Sequence, residues 1–330
     1  MPLFGQPRLG GRGHEPGMRF ERARGEVLAA TLVAAAAWCA GATGVDTLMF
    51  PELGALAHDV FTRPQGAWAR ALWHLALVPA LAALIGLTLA RSLPLGLPAL
   101  ALSLGSTLLL LGLLRSPLAP AISAGLLPVA LRVRSPWYPA SILLVTVVLA
   151  GVVLLRATLR RAAPAPVDAA ARIDDQTEEA AHGWRWLPGY ALFALVAGAL
   201  AQPAHLLLVP PLFVVAYEMF AHPAVCPWRA RPWALLAACV AGAVCGAAMV
   251  AWLGAGPLSA AASLLAGVLL VRALDLHVPP ALAIGLLPQV LPHAGWHFVD
   301  SVALLCAWLI VSFALADFVA RRLSMARQAA

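Results

Sequence analysis

Two stretches of this chain, Leu93–Leu114 and Trp233–Leu253, run for more than twenty residues each without a charged side chain. About 20 apolar residues in a helix span the roughly 30 Å hydrocarbon core of a bilayer. Ala76–Ala90 and Val299–Ala316 belong to similar runs. Only 11% of the 330 residues are charged, against about 25% in soluble domains. The chain therefore reads as an all-α polytopic membrane protein whose first partner is the lipid bilayer.

The formal charge is +7, and all 22 basic residues are arginines. They sit at the ends of apolar segments rather than along one soluble face. That is the pattern of the positive-inside rule, and it argues against nucleic-acid binding. The cysteines, Cys39, Cys226, Cys239, Cys245 and Cys306, are odd in number, and no CxxC occurs. They read as small buried hydrophobes. The run Val27–Ala42 follows an arginine-rich start, as a signal peptide would. Its mid-chain equivalent near Leu187–Leu200 argues for a retained helix.

"PAISAGLLP" at Pro120–Pro128 returns as "PALAIGLLP" at Pro280–Pro288, identical at six of nine positions and 160 residues later. The same register aligns Trp68 with Trp228, Trp73 with Trp233, Gly86 with Gly246 and Ser141 with Ser301. One residue off it, Phe50–Pro64 aligns with Val209–Pro223, and Asp59 meets Glu218. A fixed offset across Trp, Pro, Gly and acidic positions marks an internal repeat. Each half divides into six apolar segments, of which the second and fifth are short. The division expected is a tail at residues 1–25, a first membrane repeat at 26–156, a linker at 157–186, a second repeat at 187–317 and a tail at 318–330.

Arginines crowd both tails and the end of the first half, placing all three in the cytoplasm. Each half then crosses an even number of times, and the repeats are parallel, related by a pseudo-two-fold axis along the membrane normal. The count is twelve crossings if the short segments span and eight if they re-enter. Arg63, Arg70, Arg229 and Arg231, just after the second segments, favour twelve. The protein belongs in the cell membrane on this reading.

Paired short segments interrupted by Gly and Pro are the best sequence pointer to a transport site. In the fifth segments, Pro120 and Pro280 suit the first turn of a helix. Gly125 and Gly285 allow close approach, and Pro128 should kink or end its helix. Positive helix N-termini near the midplane could meet an anion. Packing without a ligand is the other reading. Asp59 and Glu218 either couple protons or bind a cation, or they pair with the arginines at the interface. Arg115 falls at the position of Asp275 in the other half. The two pair across the axis or simply meet solvent. His277 stands at the mouth of a fifth segment, where an imidazole can sense protons or bond a ligand. His293 and His297 have helical ligand spacing, but no third ligand is spaced to join them, so no metal is expected. No nucleophile–base constellation or nucleotide loop occurs, so neither an enzyme nor a cofactor is expected.

"HVPPALAIGLLP" at His277–Pro288 resembles the His-Pro-Pro signature of the HPP family of membrane proteins, with Val278 set between the His and the prolines. "FPELGALAHDVFTRPQGAWAR" at Phe50–Arg70 resembles that family's other marked region, and "AHPAVCPWRARP" repeats it in the second half. The resemblance implies a helical unit present twice and a transporter or channel for a small anion such as nitrite. Asp59, Glu218, Arg63, Arg115, Asp275, His277, Pro120, Gly125, Pro280 and Gly285 are then the candidate path residues. Partners would be the small solute and, in an oligomer, further copies of the chain. The alternative is a non-transporting membrane scaffold acting through its tails and linker.

Overall fold

The computed structural model describes residues 16–94, 96–159, 169–181, 183–201, 206–291 and 295–329, and among them it is all-helical. The first half contributes α1 (Pro16–Thr43), α2 (Glu52–Thr62), α3 (Ala67–Arg70), α4 (Leu72–Ser92), α5 (Leu97–Leu114), α6 (Ala121–Ala130) and α7 (Trp137–Leu159). A helix within the linker, α8 (Ala169–Glu178), follows. The second half contributes α9 (Leu187–Ala201), α10 (Pro210–Ala221), α11 (Pro232–Leu253), α12 (Pro257–Ala273), α13 (Pro279–Leu286) and α14 (Trp296–Ala329). Among the described residues, six helices are long and apolar enough to cross a membrane: α1, α4, α5, α7, α11 and α14. α9 and α12 fall just short, at 15 and 17 residues.

Polarity is arranged for lipid. α4 turns Leu77, Leu81 and Leu84 outward, and α7 turns out Leu144, Val147 and Leu155. Large exposed apolar surfaces are rare on soluble monomers. Polar groups lie inside instead, where Ser103, Thr107, Glu52, Asp59 and Glu218 are all buried. Membrane interiors tolerate such groups only where protein surrounds them.

The four short helices form that interior. Glu52–Phe61 of α2, Ala121–Val129 of α6, Pro210–Phe220 of α10 and all of α13 are buried on every face. They pair across the halves, α2 with α13 and α10 with α6. α2 and α13 run antiparallel, because Asp59 and Arg63 meet His277 before α13 whereas Gly54 abuts Leu286 at its end. The α13 N-terminus therefore lies beside the α2 C-terminus. At 1.5 Å per residue an 11-residue helix covers only about 16 Å. Even so, α2 returns the chain to the end where α1 begins, since Gly25 packs on the Phe61 carbonyl. α6 likewise leads from the Leu114 end, bonded to His74, toward the Arg134 end, bonded to Arg91.

The long helices clasp these short ones through glycine. A Cβ on Gly86 of α4 would overlap the Gly125 carbonyl of α6, and a Cβ on Gly246 of α11 would overlap the Gly285 carbonyl of α13. Other contacts recur at the same spacing. Thr47 Oγ1 bonds Ser141 Oγ at 2.8 Å, and the Leu207 amide bonds Ser301 Oγ at 3.0 Å. Arg115 and Asp275 both close their turns in the left-handed region, at φ 47° and 49°. The two prolines differ in outcome. α6 continues past Pro128 to Ala130, whereas Pro288 lies in a 3-10 turn, Leu287–Gln289, that finishes α13.

Candidate functional site

α2 carries its ionisable side chains on a fully buried helix, and their partners come from elsewhere in the chain. Asp59 and Arg63 are one turn apart, so their side chains share a face. Arg63 Nη1 lies 2.8 Å from Asp59 Oδ1, 2.6 Å from Glu178 Oε1 and 2.7 Å from His277 Nε2. Arg63 Nη2 donates to Asp175 Oδ1, and Arg70 Nη2 stands 3.6 Å from the other Asp175 oxygen. His277 Nε2 lies 3.0 Å from Glu178 Oε1 and 3.3 Å from Asp59 Oδ1. Asp59 and Glu178 are buried, and the Arg63 side chain is only 13% exposed.

The linker, whose sequence reads as partly helical or disordered with charges that largely cancel, is helical over α8, and α8 turns acids inward, with Asp174 and Glu178 both buried. Sequence reading missed Glu178 and Asp175. The available signal was the i, i+3 spacing of Asp175 and Glu178, which puts both on one helix face.

The charges balance in one way. Burial pulls the His277 imidazole toward its neutral form, and Arg63 does the same. Asp174, Asp59 and Glu178 outweigh both and raise it from its ordinary 6.5 to about 10. Burial and the neighbouring Asp59 push Glu178 up to about 6, against the pull of Arg63 and His277. His277 is thus a cation that donates to Glu178, and the Asp59 and Glu178 carboxylates offset the charges of Arg63 and His277, whose Nη1 and Nε2 stand 2.7 Å apart. Asp59, Glu178 and His277 offer ligand atoms within 4.8 Å of one another, the convergence a metal ion needs. Arg63 Nη1 stands among them, so a guanidinium holds the place of a cation and the donor set does not fit a metal. His293 lies outside the described residues, and His297 starts α14, where its carbonyl accepts from Ser301.

Docking of α8 should weaken as pH rises. Asp174 and Glu178, both carried by α8, raise the His277 imidazole, so docking holds a proton there, and that contribution is lost as pH rises through about 10. Hydrogen exchange in Ala169–Glu178, corrected for its intrinsic pH dependence, should accelerate between pH 6 and 10. Flat protection over that window would refute the charge assignment.

The other sequence candidates are dispersed. Glu218, the counterpart of Asp59, is buried, and neither of its carboxylate oxygens has a hydrogen-bond partner. Arg115 and Asp275 occupy exposed turns. Arg115 borders a cavity of about 490 Å³ with Trp184, Trp186 and Tyr217. Pro120 caps α6, and Pro280 lies in the first turn of α13. Gly125 and Gly285 form the backbone contacts described above. A further acid, Glu52 at the start of α2, accepts from Ser123 of α6 and leaves its second oxygen unbonded.

Comparison with protein-family models, curated proteins and solved structures finds no match to this chain. The geometry has to carry the functional reading. Near the far end of α2 and α13 a cleft of about 590 Å³ opens between the C-terminal part of α1 and the turn entering α12, with Met49, Gln289 and Val290 in its lining. The α2–α13 pair therefore runs from an open cleft to the ion cluster. The α13 N-terminus offers few amide donors there, because Pro279 and Pro280 hold its first positions. An anion reaching that end would have to be held by side chains.

Proposed function

We propose that this protein is a membrane transporter for a small solute, built from two parallel six-segment repeats with twelve crossings. The contacts that recur 160 residues apart support the repeat, and the return of the chain by α2 and by α6 supports the crossings. The observation that carries the reading is the alignment along α2 and α13, with a cleft at one end and a buried ion cluster at the other. Its resemblance to the HPP family, in "HVPPALAIGLLP" and "FPELGALAHDVFTRP", points to a small anion such as nitrite. Arg63 and His277 are the cations that would meet it. The arginine-rich ends, the ion cluster and both tails lie in the cytoplasm on this reading. No bond is made or broken, so the protein is not an enzyme.

Glu218 is the candidate for proton coupling. A buried carboxylate with neither oxygen bonded does little for packing and is costly to keep. In proteoliposomes, Glu218→Gln should abolish the stimulation of nitrite uptake by an inward proton gradient while leaving nitrite exchange intact. Uptake no greater than in empty liposomes, for nitrite, nitrate and formate at any gradient, would sink the transporter reading. A scaffold acting through its linker is less well supported, because Asp174 and Glu178 turn into the protein rather than toward a partner.

A further inference from the structure

The contact between α8 and α2 joins two segments that have no sequence reason to meet. Glu178 is held by the cations expected to receive an anion, at 2.6 Å from Arg63 Nη1 and 3.0 Å from His277 Nε2. Asp175 takes the other arm of the guanidinium. A carboxylate is a planar monoanion with two acceptor oxygens, and guanidinium recognises that shape through its fork of donors. Formate and nitrite have the same charge and the same pair of oxygens. Glu178 presents one oxygen, Oε1, to both cations and leaves Oε2 unbonded, so the cluster holds a tethered carboxylate in the place of such a ligand.

With α8 docked, its three acids Asp174, Asp175 and Glu178 stand beside Asp59 near Arg63 and His277. With α8 withdrawn those three leave together, and Asp59 remains against Arg63 and His277. Glu218 lies within electrostatic reach of Asp59, Glu178 and His277 but hydrogen-bonds none of them.

We propose that α8 is a built-in competitor of the anion site. The Glu178 carboxylate occupies the position of the ligand against Arg63 and His277, and a small planar monoanion binds there when Glu178 and Asp175 leave. The competitor closes the end of α2 and α13 opposite the cleft. This rests on the transporter reading for its physiological meaning, though the competition itself can be measured without transport.

The test uses the full chain in lipid nanodiscs and follows hydrogen exchange in Ala169–Glu178 while sodium formate is titrated against sodium chloride at equal ionic strength. Formate should raise exchange saturably, by roughly ten-fold or more, as expected when a local contact is opened. Chloride should not. An Asp175→Asn/Glu178→Gln variant should exchange rapidly from the start and ignore formate. In proteoliposomes that variant should carry formate and nitrite several-fold faster than the wild type. Wild-type exchange indifferent to formate overturns the proposal, and this arm decides the matter even if the variant does not fold. Equal flux in wild type and variant, above that of empty liposomes, also overturns the competitor and leaves the transporter standing. Formate-driven release of α8 with no flux in either protein supports the competition and removes the transporter.

Discussion

Gly246→Val should abolish recovery of folded protein, and Gly86→Val should do the same. The added Cβ would overlap the Gly285 carbonyl in one case and the Gly125 carbonyl in the other. These are backbone atoms of short helices that are buried on every side, so no rotamer change can clear the space. Overpacking in cores costs about 1–3 kcal/mol, and more where the surroundings cannot yield. At these positions the upper end or beyond is expected, enough to consume much of a typical stability. The check is detergent-solubilised yield, monodispersity by size exclusion and thermal midpoint. Gly105→Ala and Gly151→Ala are the controls, since a Cβ at either meets nothing within 4 Å. They should fold as the wild type does, within about 0.5 kcal/mol. If Gly246→Val behaves like Gly105→Ala, the α11–α13 contact is not what holds the short helix in place. Equal damage from Gly86→Val and Gly246→Val is also what the two-repeat reading requires.

Much of this architecture was legible in the sequence. Apolar runs end where charge or proline forces them to, so α4, α5 and α11 begin and end within a few residues of the expected segments. The pairing of Gly86 with Gly246 was visible as a repeat match, but its role was not. A glycine in a helix does not say which carbonyl it faces. Asp59 and Arg63 were legible as an acid followed by an arginine one turn on. Asp59 bonds Arg63, while Glu218, its sequence equivalent, meets no hydrogen-bond donor. His222 replaces Arg63 in that half, so the second copy lacks the fixed cation. What could not be read was the third party to the site. Glu178 is 115 residues from Arg63 in a segment whose composition is that of a solvated linker. Composition predicts solvation from average polarity. It cannot register that two acids of a short helix have a buried guanidinium waiting for them. Glu52 was hidden for a similar reason. At the first turn of a helix an acid is explained locally by the dipole, and nothing in the local sequence reveals Ser123 beside it.

Replacing Arg63 should do more damage than replacing either linker acid. Glu178→Gln and Asp175→Asn each remove one negative charge and leave Arg63 bonded to Asp59. Arg63→Ala instead leaves Asp59, Asp175 and Glu178 facing one another, with His277 as the nearest remaining cation inside the cluster. Breaking a buried ion pair by removing one member costs about 3–5 kcal/mol, because the partner stays buried without compensation. The loss here should fall in that range, as the Arg63 side chain is only 13% exposed and Asp59 fully buried. Arg63→Lys should be intermediate. An ammonium is a point charge without the planar fork that reaches Asp59 and Glu178 with one arm and Asp175 with the other. The decisive comparison is a double-mutant cycle in thermal or denaturant unfolding. Adding Glu178→Gln to Arg63→Ala should recover part of the stability, because it removes one of the stranded charges. The same substitution in the wild type should cost stability. That change of sign is specific to a charge network, since a merely steric role for Arg63 predicts additive losses. Additivity would return Asp59 and Arg63 to an ordinary interfacial pair and detach Glu178 from the site.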